Sequence, residues 1–104
     1  MKKSDLPTAM QWLIERCQEI NFGRITVITK NGEPDLTKPP RIVRTVKLAG
    51  QENGPRAERA IPDFCLRHEH MAMASEIDDA QDGASVAVEV KHGLPFLIEI
   101  EQAA

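Results

Sequence analysis

The chain has no tyrosine, one tryptophan and three phenylalanines among 104 residues. So few rings argue against a surface that stacks the bases of single-stranded nucleic acid, which relies on aromatic platforms. They also mean that any core must be built from Ile, Val, Leu and Met. No apolar run approaches the roughly 18 residues of a membrane span. The opening MKKSDLP has two lysines but no apolar stretch of the signal-peptide kind behind them. The two cysteines, Cys17 and Cys65, fit reduced thiols, so the expected compartment is the cytoplasm. A disulfide between them would need α-carbons within about 7 Å, which spacing alone does not decide.

Motifs of familiar chemistry are also missing. There is no G-x-S-x-G elbow, no Walker A loop and no G-x-G-x-x-G turn. Asp78, Asp79, Asp82 and Glu76 are close in sequence but lack the alternating spacing of a calcium loop.

What is present is globular: 41% hydrophobic and 28% charged residues, enough for one domain over 1–104 with a modest core. The net charge of −3 hides a split. Residues 1–60 carry eleven basic and seven acidic side chains, net +4, and residues 61–104 carry two and nine, net −7. Such a split suits an anionic partner on one side or head-to-tail self-association, or it reflects two solvated faces.

Along the chain, Ser4 or Asp5 precedes Pro7 as a helix start, and Met10, Leu13, Cys17 and Ile20 recur at helical spacing. This predicts a helix over 7–21 with Gly23 at its stop. RITVITK, residues 24–30, is β-branched and reads as a strand. Asn31-Gly32 is a strong hairpin dipeptide because both positions tolerate φ > 0. Pro34, Pro39 and Pro40 make 33–40 a loop or a distorted strand start. Residues 41–48 read as a second strand, with Ile42, Arg44, Val46 and Leu48 on one face. The polar stretch 49–62 is the linker. A second helix is expected over 63–80, with Leu66, His70, Met73 and Ile77 on one face and Gly83 at its end. Strands 85–91 and 95–101 alternate cleanly, pointing Val86, Val88, Val90, Phe96, Ile98 and Ile100 inward.

The order helix, Gly, strand, turn, strand thus occurs twice, over about 5–48 and 63–102, and each turn follows a lysine, Lys30 or Lys91. The expected fold is α+β: a two-layer sandwich from a tandem αββ duplication, with a four-stranded antiparallel sheet and two helices on one face. His92-Gly93 is then a hairpin turn before it is a site.

WLIERCQEINFGRITVITKNGEP resembles the YezD-like small bacterial proteins, which are single helix–hairpin units. The match rests on Ile20, Phe22, Gly23, Ile25, Val27 and Asn31-Gly32, and resumes loosely over 42–46. The insert 34–40 and the whole second unit depart from that pattern. The resemblance implies no enzymatic activity, and it implies that one chain here does what two such chains do as a dimer.

Cys65-Leu66-Arg67-His68-Glu69-His70 has the residue types of a metal cluster but not the spacing. On a helix Cys65 reaches His68 or Glu69, while His70 lies with Leu66 and Met73. Cys17 and Cys65 occupy apolar helix positions, where thiols are inert. The strongest candidate for binding is basic: Lys38, Arg41, Arg44 and Lys47, with Arg56 and Arg59 in the linker. Arg41 and Lys47 fall on strand parity opposite to Arg44, so this is no single stripe. The sequence therefore predicts a non-enzymatic binding or assembly module that needs no cofactor or metal and meets a protein partner or a second copy, as a homodimer. The alternative is a nucleic-acid-binding protein using those six basic residues. A minor third is a metal enzyme through Cys65 and His68.

Overall fold

The computed structural model describes residues 2–46, 48 and 67–103. A short turn of 3-10 helix, Lys3–Asp5, leads into helix α1, Thr8–Ile20. Strands β1 (Gly23–Lys30), β2 (Glu33–Pro34) and β3 (Arg41–Arg44) follow. Then come helix α2 (His68–Asp79) and strands β4 (Ser85–Lys91) and β5 (Leu94–Glu101). The fold is α+β in two layers: one antiparallel sheet with both helices on one face.

Across the sheet the order is β3, β1, β4, β5, with the short β2 continuing the β3 edge. Both tight turns close with two residues at positive φ, Asn31 (55°) and Gly32 (76°), then His92 (56°) and Gly93 (75°). Positive φ at both central positions is what a type I′ hairpin turn requires, and it suits the right-handed twist of the flanking strands. His92 is therefore a turn residue, its ring edge-on to Phe22 at 4.9 Å between centroids.

The inner face of the sheet carries Ile25, Val27, Val86, Val88 and Val90, against Met10, Leu13, Ile14, Cys17 and Ile20 of α1 and Met73 and Ile77 of α2. Each such side chain moved out of water contributes about 1.5–3 kcal/mol. The aliphatic core that the scarcity of rings demands is therefore present.

Five details differ from the sequence expectation. First, α1 stops at Ile20 rather than at Gly23, because Asn21 turns the chain at positive φ (φ 62°, ψ −48°) and its amide donates to the Cys17 carbonyl at 3.2 Å. Second, Gly83 stands beyond the end of α2, in the turn before β4, and its amide donates to the Thr29 carbonyl at 2.8 Å.

Third, α2 starts at His68, and the start expected at 63 lies outside the described residues. Arg67 is extended (φ −85°, ψ 165°), and the His70 ring accepts its amide at 3.2 Å as a helix-start acceptor. His70, Met73 and Ile77 form the buried face, and Leu66 lies outside the described residues.

Fourth, the strand expected over 41–48 is regular only over Arg41–Arg44 and is exposed throughout. Thr29 faces Pro34, yet Thr26 faces Arg41. An unbroken hairpin would bring residue 37 opposite Thr26, so the proline-bearing segment loops out four residues.

Fifth, Phe96 points outward. Glu89 pairs with Leu97 and Val90 with Pro95, so Phe96 is an extra residue in a bulge, and Pro95 takes the inward place. A bulge of this kind breaks strand alternation.

Candidate interaction surface

Among the described residues the helices cover only one face of the sheet, and register decides what stands on the other. Directly opposed residues share a face. Val43, Arg24, Glu89 and Leu97 form one row across all four strands. Arg41, Thr26, Ala87 and Glu99 form the next, and Ile28, Ser85 and Glu101 a third. Val43 and Leu97 are 58% and 48% exposed, so apolar side chains stand at both ends of the first row. At the centre of the second are two small residues, Thr26 and Ala87.

The charge split of the sequence becomes a split in space. The first half of the chain supplies β3 and β1, the second half β4 and β5, and the halves meet along the β1–β4 seam. Arg24, Lys30 and Arg41 therefore lie on one side of the outer face, with Glu33 opposite Lys30, and Glu89, Glu99 and Glu101 on the other, with Lys91 at the end of β4. Arg24 and Glu89 already join across the seam at 2.8 Å. That pair is half in solvent, so it contributes no more than about 1 kcal/mol to stability. The arrangement of signs matters more than the strength of any one contact.

The basic candidates are scattered. Arg41 is on the outer face, and Arg44, opposite Gly23 and in line with Val90, is on the helix side. Lys38 is exposed in the looped-out segment. Lys47, Arg56 and Arg59 lie outside the described residues. In the same loop, the hydroxyl of Thr37 (2.6 Å) and its amide (3.1 Å) donate to Asp35 and hold that carboxyl below its ordinary range.

Among the described residues no group of three or more His, Cys, Asp or Glu is placed to hold a metal ion. His68 is exposed at the start of α2, His70 is buried, and Cys65 lies outside the described residues. Cys17 is wholly buried between α1 and the sheet, and burial pushes its thiol up to about 12. A thiol so rarely ionised is no nucleophile.

A groove of about 610 Å³ runs between α2 and the β5 edge, lined by Ala72, Met73, Phe96, Ile98 and Ile100, with Glu69 and Glu76 on its wall. Sequence parity placed Leu97, Glu99 and Glu101 outward. It did not reveal that Arg24 and Arg41 share their face, because that depends on the β1–β4 register, set between residues about sixty apart.

No protein-family model, curated protein or solved structure matches the chain.

Proposed function

We propose that the protein is a small non-enzymatic assembly module whose partner is a second copy of its own chain. The observation that carries this is the division of charge across the outer sheet face of the described residues, net basic over β3–β1, where Arg24, Lys30 and Arg41 outweigh Glu33, and net acidic over β4–β5, where Glu89, Glu99 and Glu101 outweigh Lys91. A surface that holds both signs side by side is complementary to itself. Opposed charges of this kind steer encounter and fix register more than they add affinity. Matched hairpin turns and the repeated helix–hairpin order support a duplicated unit, and hence the YezD-like resemblance in which one chain replaces a dimer. The proposed setting is the cytoplasm.

Sedimentation over a range of concentrations tests this. An 11.6 kDa chain should show a mass that rises with concentration at low salt and falls back near 0.5 M salt, where screening reaches only a few ångströms. A constant monomer mass at low salt refutes the proposal.

The exposed Arg41, Arg44 and Lys38 favour a second reading, in which the basic edge contacts phosphates. Adding a mixed DNA and RNA oligonucleotide pool tests it, with binding expected to weaken steeply as salt rises.

A further inference from the structure

Resting on the self-association proposed above, we infer that two copies stack outer face against outer face, about a two-fold axis that lies parallel to the strands above the β1–β4 seam.

Symmetry and the signs of the charges select this axis. Such an axis exchanges left and right across the sheet but keeps each position along the strand. Every row therefore meets its own reverse. Val43 comes over Leu97 of the second copy, apolar on apolar. Arg24 comes over Glu89, and Arg41 over Glu99. Thr26 comes over Ala87, so the sheets approach closest where side chains are small. Each contact is made twice. These pairings follow from the observed register alone.

The competing symmetries fail on charge. An axis in the same plane but across the strands lays each strand over its own copy, basic on basic and acidic on acidic. An axis perpendicular to the sheet at the β3 edge gathers Arg41 and Arg44 of both copies along one seam. At the β5 edge it gathers Glu99 and Glu101 of both copies along one seam, beside the Glu69 and Glu76 of the groove. Pairing β3 to β5 head to tail matches charge but does not close, and an unclosed contact grows filaments.

Strands of four, eight, seven and eight residues, about 4.8 Å apart, cover roughly 430 Å² per copy. The pair thus buries about 850 Å², the size of a weak, transient interface. A weak, salt-sensitive dimer is expected.

The experiment is equilibrium sedimentation of the full chain with Arg41→Glu, Glu99→Arg and the double variant. Each single change should weaken dimerisation about tenfold, and the double change should restore it to within about threefold, with mass stopping at the dimer. If the native chain dimerises and neither single variant weakens it, outer-face stacking is wrong while self-association stands. Growth beyond the dimer also overturns it and points to head-to-tail edges. A chain that stays monomeric sinks both this inference and the reading beneath it.

A second measurement leaves the charges alone. In a Cys65→Ser background, Val43→Cys mixed with Leu97→Cys should oxidise to a covalent dimer faster than either variant alone. Equal rates would count against the axis.

Discussion

Gly23 lies directly beneath the carbonyl of Val43: a β-carbon at position 23 would collide with that oxygen. The first residue of β1 thus has no room for a side chain, because β3 crosses it. Gly23 also stands at φ 150°, where a side chain is strained whatever the space. Gly23→Ala should therefore cost about 2–3 kcal/mol, combining overpacking with backbone strain. Gly83, at φ 84° with nothing within 4 Å of its would-be β-carbon, should lose only the strain, about 1 kcal/mol. Thermal melts of the two variants check this, with the Gly23 variant lower by several degrees. Equal melting points would show that β3 yields freely.

Val88→Ala and Val43→Ala separate the two faces of the sheet. Val88 is fully buried, so its truncation should cost roughly 2–3 kcal/mol in denaturant unfolding. Val43 is exposed, and its truncation should stay within about 0.5 kcal/mol of the parent. On the stacking geometry the Val43 variant should nonetheless dimerise less well. A stability loss at Val43 to match Val88 would contradict the assigned faces.

Cys17 should be silent towards a thiol reagent at pH 8 in the folded protein and react fully in denaturant. Its folded value is raised, so the unfolded chain releases that proton first. The stability tied to the protonated thiol is complete below the unfolded value of 9.0 and is lost as pH rises toward about 12. Cys17→Ala, though less stable at neutral pH, should lose less between pH 8 and 10.5 than the native chain. A steeper alkaline loss in the variant would refute the assignment.

Asp35 carries the opposite sign. Its carboxyl is held low, first by the Thr37 hydroxyl and then by the Thr37 amide. The associated stabilisation is present above the unfolded value and lost as pH falls through the lower folded one. Thr37→Val keeps the amide and removes the hydroxyl, so the Asp35 titration followed by NMR should move up. An unmoved titration would show that the hydroxyl does not reach it.

Much of the fold was legible in the residues because periodicity reports local burial. Leu13 and Cys17, or Val86 and Val88, announce a buried face wherever their element docks. The Asn-Gly and His-Gly turns were legible because few residues take positive φ. The lost details each depend on a distant partner. The looped-out 35–40 segment is set by what β1 pairs with on either side of it. Phe96 turns outward because Val90 selects Pro95. The outer face could be read strand by strand but not assembled, since the juxtaposition of Arg24 with Glu89 is fixed by tertiary register alone.

The β1–β4 seam also has a kinetic meaning. Each hairpin closes through two residues, a local event of microseconds. The central pair of strands joins Gly23 to Val90 and Ile28 to Ser85, so it must close a chain loop of more than fifty residues before it gains anything. Loop entropy and high contact order place that step late. The charge pattern that the proposed dimer uses therefore does not exist in either half alone. It comes into being only when the slowest contact forms, and self-association waits on complete folding.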